Sequence, residues 1–306
     1  MGRGTLGGVL GCNLAGPRRI QAGAARDHFL GFEAVSGRGE IFKSGGRVVK
    51  NVTGFDLSKL LAGSFGTLAI MTSITIKVQP KPEKTRSILV FGLNDQDAVV
   101  AMTTALHSPH EVNAVAHLPA NISGKSAVDY VHGSSKAVTV IRLQGPAPSV
   151  EARCLALQKL MSNFSDVEEL HSRNSKILWR EIGDVADLID DPTKIVCRLS
   201  VPPTGGPNIA NALKEISDAE IYFDWGGGLI WIGLSPDTGA LSREVRSLLT
   251  NSGGHATLMR APDDLRRTTP VFHPQTPEVA ALTARLKENF DPQGILNPGR
   301  MLCAES

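Results

Sequence analysis

The sequence predicts an α+β protein, in which a glycine-rich, strand-dominated region is followed by a regular α+β region built on an antiparallel sheet. Three observations predict it. Close to half of the 31 glycines fall before residue 79, where helical patterns are short. Pro80-Lys81-Pro82 then closes the longest alternating segment of the chain. Beyond it the elements run strand–helix–strand–strand–helix–strand, the split βαβ or ferredoxin-like order, in two imperfect copies. That order predicts one wide antiparallel sheet with helices on one face.

Each element has its own local reason. Residues 29–35 and 40–43 are extended segments flanking Ser36-Gly37-Arg38-Gly39, which predicts a hairpin. Asp56 is placed to cap a short helix that Gly63 stops. Residues 67–78 set Ile70, Thr72, Ile74, Ile76 and Val78 on one side of a strand.

Past Pro82, residues 87–91 read as a strand, and Asn94 caps a helix running to about Leu106. Residues 112–117 and 137–143 follow as strands. Leu157, Leu160, Met161 and Phe164 fall at i, i+3, i+4 and i+7, the stripe of a core-facing helix. The second copy opens with a strand at 194–199 and a helix striped by Ile209, Ala212, Leu213 and Ile216. Hairpin strands at 220–224 and 229–233 surround Gly226-Gly227-Gly228. A helix striped by Leu241, Val245, Leu248 and Leu249 leads to a last strand at 256–259. Thr276 and Pro277 open a final helix with Val279, Leu282, Leu286 and Phe290 on one face. The Pro- and Gly-dense tail after it reads as a rigid, docked loop. The expected domains are 1–82, 83–272 and 273–306, the last folding back on the first.

Composition excludes several function classes. Thirty-two Lys plus Arg against 30 Asp plus Glu give a net charge of +2, without the basic surplus of a dedicated nucleic-acid binder. No apolar run approaches the ~18 residues that a spanning helix requires. Cys12, Cys154, Cys197 and Cys303 are widely separated, with no C-x-x-C pair. They exclude a disulfide scaffold and leave no set for an iron–sulfur or structural zinc site. No metal constellation emerges among the eight histidines: His107 and His110 flank Ser108-Pro109, which breaks helical spacing. With no targeting signal at the N-terminus, a cytoplasmic location is the expectation.

Two glycine motifs look like phosphate-binding signatures and are rejected. Gly2-x-Gly4-x-x-Gly7 matches the dinucleotide fingerprint, but no strand precedes it and residues 8–16 are too glycine-rich for a helix interior. Gly124-Lys125-Ser126 resembles the end of a P-loop, but Pro119 stands where the first glycine belongs. What remains is Gly4-Thr5-Leu6-Gly7-Gly8, with Asn13 and Gly16 beyond it. Such a bend lets a ligand approach the backbone, whose amides can cradle a diphosphate; a tight turn in a β-rich domain is the competing reading. A second cluster, Gly63-Ser64-Phe65-Gly66-Thr67-Leu68, leads into the long strand. Two amide-donor bends in one small region suit a long, multi-phosphate cofactor.

Those segments carry a family resemblance. Gly4–Gly8, Arg26-Asp27-His28-Phe29-Leu30-Gly31, Val49-Lys50-Asn51-Val52-Thr53-Gly54-Phe55-Asp56-Leu57 and residues 61–68 resemble the FAD-linked oxidases of the vanillyl-alcohol oxidase type. Within them the resemblance is nearest to the FAD-binding subunits of bacterial glycolate oxidases. Phe290-Asp291-Pro292 and Asn297-Pro298-Gly299-Arg300 are similar to the family's ending. Members carry a further N-terminal segment with a first diphosphate loop. Met1 falls just before the second loop, so a misplaced start or a truncated form is expected.

The resemblance implies a partial PCMH-type FAD-binding domain followed by a ferredoxin-like cap over the isoalloxazine ring. It implies FAD lying along Thr5, Gly7, Gly8, Asn13 and Gly16 on one side, and Gly63, Ser64, Gly66, Thr67 and Ile70 on the other. It implies oxidation of glycolate or another small 2-hydroxy acid. The expected partners are a second FAD-linked subunit and an iron–sulfur subunit.

The chemistry needs a base for the hydroxyl and a cation for the carboxylate. His255 and Arg260, on one predicted loop and strand, are the candidates, and a structural histidine at a strand start is the competing reading. His273 and His28 are further candidates. Arg18, Arg19 and Arg26 face phosphate, a partner subunit or water.

Overall fold

The computed structural model describes residues 4–49, 54–236 and 241–301, with the side chains of 241–243 and 251 left out. Residues 50–53 of the third family motif, Gly2 of the rejected fingerprint, Cys303 and the side chain of Leu241 therefore lie outside the described residues. The chain divides into two compact units: one holds Gly23–Pro80 together with the residues up to Gly16 and from Pro274 onward, the other Pro17–Ala22 and Lys81–His273. Pro17–Ala22, expected with the first region, thus belongs to the second unit.

In the first unit, β1 (Phe29–Ser36) and β2 (Ile41–Gly45) form the predicted hairpin, and β3 (Ala69–Ile76) pairs antiparallel with the other edge of β1. The predicted short helix is Leu57–Leu61, and the Asp56 side chain accepts from the Lys59 amide at its start. The core is small: Leu10, Phe29, Phe32, Ala34, Leu61, Leu68 and Ala69. A file of aromatic rings extends it, from Phe29 through Phe32 and Phe42 to Phe290 on the C-terminal helix Pro277–Phe290, with centroids 5.7, 5.4 and 5.8 Å apart. Each such contact adds about 0.5–1.5 kcal/mol beyond area burial.

The second unit is one eight-stranded antiparallel sheet. Its strands are β4 (Lys84–Phe91), β5 (Ala114–Leu118), β6 (Val138–Gly145), β7 (Val167–Leu170), β8 (Ile195–Ser200), β9 (Glu220–Asp224), β10 (Leu229–Leu234) and β11 (His255–Arg260). They lie in the order β11-β8-β10-β9-β5-β6-β4-β7. Each half has its first strand between its third and fourth, and the halves meet where β5 pairs with β9. The ferredoxin-like reading therefore holds in both copies.

Helices on one face is the part that fails. Alternation along the strands feeds two separate cores. Val115, Ile141, Ile195, Phe223 and Ile232 point to one, with Asp95–His107, Ala147–Met161, Gly206–Ile216 and Leu241–Ser252 on that side. Ala116, Val140, Val196 and Tyr222 point to the other, roofed by Ser172–Asp184 and short neighbours. The roof helix carries its own signal, Ser175, Leu178, Trp179 and Ile182 at i, i+3, i+4, i+7, all buried. It is pinned through buried hydroxyls: Trp179 Nε1 donates to Ser87 Oγ at 2.8 Å, and Tyr222 OH donates to the Ile182 carbonyl at 2.8 Å. No helix among the described residues is long and apolar enough to cross a membrane.

Candidate functional site

The first glycine bend is a helix, not an open loop. Leu6–Gly11 is helical, with Thr5 as its N-cap: Thr5 Oγ1 accepts from the Gly8 amide at 3.0 Å. The expectation that glycine would prevent a helix here is corrected. The propensity cost of about 1 kcal/mol per glycine is offset by the cap and by burial of Leu10 and Gly11. The first turn leaves the amides of Leu6 and Gly7 without carbonyls four residues earlier in the helix, at the positive end of its dipole. A Cβ built on Gly4 meets nothing within 4 Å, and one on Gly7 meets only Thr5 Oγ1 at 4.0 Å. Backbone amides and free space coincide there.

The second bend is placed beside the first but does different work. Gly63 has φ +84° and Gly66 φ +69°, a left-handed backbone that glycine adopts at low cost. These turns aim the bend at the C-terminal end of the short helix. The Gly63 amide donates to the Leu10 carbonyl at 3.1 Å and the Phe65 amide to the Gly11 carbonyl at 2.8 Å. The Ser64 and Thr67 amides bond within the bend, to Leu61 and Ser64 carbonyls. Gly63, Ser64 and Thr67 therefore do not present amides to a ligand, which corrects that part of the expected donor set. Thr67 Oγ1 is also spent, donating to the Ser64 carbonyl at 2.7 Å. The bend satisfies helix-end carbonyls that sequence spacing cannot show.

The remaining expected contacts sit around this pair. Asn13 has φ +48°, and its Oδ1 accepts from the Arg26 amide at 2.9 Å, so it ties two segments of the unit together. Gly16 is exposed, with open space at its Cβ position, and Ile70 is 58% exposed on β3.

Behind the second bend, Gly63, Ser64, Thr67 and Leu68 join Leu286 and Lys287 of the last helix and the 297–301 tail in lining a cavity of about 220 Å³. The C-terminal tail grips the bend from that side. Lys287 Nζ donates to the Thr67 and Leu296 carbonyls at 2.8 and 3.0 Å, and Asn297 Nδ2 donates to the Phe65 carbonyl at 2.7 Å.

In the second unit the two catalytic candidates are at opposite ends of β11. His255 pairs with Ser200 and Arg260 with Val196. The Arg260 guanidinium donates to the carbonyls of Lys194, Ile189, Leu188 and Asp191, from 2.5 to 3.4 Å. Arg260 as the carboxylate-binding cation is thereby corrected, because its donors already hold a helix end. His255 is exposed; partial desolvation and the charges of Arg198, His273 and Arg19 lower its pKa, so the neutral imidazole predominates near pH 7. His28 is held through Nδ1 by the Lys77 carbonyl at 3.1 Å.

Arg18 and Arg19, two of the arginines singled out in the sequence, join a cluster on that face whose other members were not anticipated. The Arg19 and Arg198 guanidinium carbons lie 4.5 and 5.1 Å from the centroid of one indole, Trp225. Arg142 lies 5.5 Å from Trp179 and beside Arg18; burial, then Arg18, lowers its pKa to about 10. Arg142 and Arg198 each follow and precede apolar residues in β6 and β8, and a charge set in such a run is the signal by which they can be found. Among the described residues no group of three His, Cys, Asp or Glu is placed to hold a metal ion.

Comparison with known proteins agrees with this architecture. Residues 272–301 match the family described as FAD linked oxidases, C-terminal domain. The chain is 31% identical over 297 residues to glycolate oxidase subunit GlcE of Escherichia coli, covering 97% of this chain and 71% of that one. It is 27% identical to glycolate oxidase subunit GlcD of Bacillus subtilis, covering 99% and 69%. The chain belongs to the FAD-linked oxidases.

Solved structures share the fold at lower identity. An alkyldihydroxyacetonephosphate synthase superposes with TM-score 0.64 at 16% identity, and 4-ethylphenol oxidase from Gulosibacter chungangensis with 0.65 at 15%. The chain spans 57% and 66% of their lengths, and they cover 95% and 91% of it.

Proposed function

We propose that the chain is a FAD-binding subunit of a glycolate oxidase, an FAD-dependent oxidoreductase that takes glycolate to glyoxylate. The observation that carries this reading is likeness to glycolate oxidase subunits along nearly the whole chain. The open first turn at Thr5–Gly8 supports it, because a diphosphate there meets the Leu6 and Gly7 amides at the positive end of a helix dipole. Gly8, Asn13 and Gly16 line the approach. Gly63, Ser64, Gly66 and Thr67 hold the helix from behind, and Ile70 offers apolar surface. Bound FAD supplies the two-electron acceptor. His255 of the second unit, neutral near pH 7, would be the acceptor for the hydroxyl proton.

The working assembly contains a second FAD-linked subunit and an iron–sulfur subunit, and it is cytoplasmic, peripheral to the inner membrane through those partners. A second reading, a non-catalytic assembly subunit without FAD, draws on the inward-bonded amides of Gly63, Ser64, Phe65 and Thr67. A different 2-hydroxy acid is the third.

The visible spectrum of the purified chain separates the first two. Flavin absorbance that bleaches on adding glycolate to the reconstituted complex is the expected result. A colourless chain that still assembles with its partners supports the assembly role, and bleaching by another hydroxy acid alone supports the third.

A further inference from the structure

We infer that the second unit binds a small 2-hydroxy carboxylate between Arg19, Arg198 and His255, against the Trp225 indole. Three observations converge there, all within one compact unit.

The first is two guanidiniums against one ring. Arg198 projects from β8, in register with Trp231 and Thr257, and Arg19 comes from the helix Arg19–Ala22. A guanidinium lying on an aromatic face keeps its edge N–H groups free, and that edge matches a planar carboxylate in a two-pronged bond.

The second is the lack of an ion pair. Among the described residues no carboxylate forms an ion pair with Arg19 or Arg198. The acid whose charge acts on Arg198 is Asp224, which is fully buried and which burial pushes up to about 7 against the pull of Arg198. Its Oδ1 is taken by the Trp225 amide at 2.7 Å. Two cations gathered against one aromatic ring, neither held by a carboxylate in an ion pair, favour an anionic guest.

The third is His255, paired with Ser200, two residues along β8 from Arg198. Partial desolvation, then Arg198, His273 and Arg19, disfavour its protonated form, which leaves a neutral imidazole. A neutral imidazole offers one nitrogen that can accept from a hydroxyl, beside one N–H that can donate. Carboxylate to arginine and hydroxyl to histidine is the complement of a 2-hydroxy acid. The choice of that occupant rests on the function proposed above; the anion site itself stands on the geometry.

The test is fluorescence titration of the full-length chain with glycolate, oxalate, acetate and inorganic phosphate at constant ionic strength. Saturable quenching by glycolate and oxalate is expected, with acetate at least tenfold weaker than glycolate. Trp225→Phe abolishes the signal. Arg198→Gln and Arg198→Lys each weaken binding at least tenfold, the lysine variant keeping the charge while removing the fork. His255→Gln removes the preference for glycolate over acetate. Arg180→Gln, an exposed residue paired with Asp184, leaves the titration unchanged.

Quenching that chloride reproduces, equal affinity for phosphate, or full binding in the folded Arg198→Lys variant overturns the proposal. Flavin absorbance is read separately. A flavin-free chain that binds glycolate keeps this site and sinks the catalytic reading. A yellow chain with no carboxylate binding does the reverse.

Discussion

Lys287 and Asp291, one turn apart at the end of the C-terminal helix, form an ion pair whose carboxylate is completely enclosed. Each partner then spends its remaining hydrogen-bonding capacity on main chain. Lys287 reaches the Thr67 and Leu296 carbonyls, and Asp291 accepts from the Ile295 and Leu296 amides at 3.1 and 2.8 Å. One pair thus fastens the tail, the last helix and the Gly63–Leu68 bend.

Breaking that pair is costly, because the partner left behind is an uncompensated charge. Asp291→Asn or Lys287→Met is expected to lower stability by about 3 kcal/mol in thermal or urea unfolding. Burial alone pushes Asp291 up, but Lys287 and the Leu296 and Ile295 amides outweigh it and hold it below the ordinary carboxylate range. Its contribution is present above the unfolded pKa and lost as pH falls through the lower folded value, so the gap between wild type and Asp291→Asn is full above about pH 4 and closes only as pH falls through that lowered value. Gly37→Ala tests the same spot, since a Cβ there comes within 2.2 Å of Asp291 Oδ1.

Arg260 is expected to be structural. Arg260→Ala removes four carbonyl contacts at one helix end and should cost about 2–3 kcal/mol. Carboxylate binding by the folded variant should stay within twofold of wild type. A selective loss of binding without loss of stability would return Arg260 to the site.

Asp224 carries an unfavourable charge. Its folded pKa of about 7 exceeds the ordinary 3.8, chiefly through burial, so the fold binds the proton more tightly than the unfolded chain does. Stability from this group therefore falls as pH rises between those values. Asp224→Asn keeps an acceptor for the Trp225 amide and should gain on wild type by up to about 4 kcal/mol between pH 4 and 7, measured as the difference in unfolding free energy. A pH-independent difference would show that Asp224 does not titrate in this range.

The first turn of the Leu6–Gly11 helix should control flavin retention. Thr5→Ala removes a cap worth about 1 kcal/mol, while Thr5→Ser keeps it. Gly7→Val fills the space in front of the amides. Both Thr5→Ala and Gly7→Val should lower the flavin-to-protein absorbance ratio of the purified chain, and Thr5→Ser should not. Equal ratios in all three would place the diphosphate elsewhere.

Much of the architecture was legible before any coordinates. Alternation and helical stripes mark both α+β copies, and Asn94 and Asp56 cap where their side chains suggest. The fourth strand of the first copy, Val167–Leu170, was not, because four residues with adjacent Glu168 and Glu169 carry too short a period to register. Helices on the second face were missed because a strand buried on both sides loses its polar alternation.

For the site, local pattern marked where chemistry gathers: glycine at 4–8 and 63–66, a histidine opening the last strand, and the family motifs around them. Which atoms remain available depends on partners distant along the chain. Leu10 and Gly11 carbonyls claim the second bend's amides, carbonyls between residues 188 and 194 claim Arg260, and Trp225 gathers Arg19 and Arg198 from segments nearly 180 residues apart. Periodicity and turn chemistry are short-range and can be read from neighbours, whereas the satisfaction of a hydrogen bond or a charge is set by whatever the fold brings alongside.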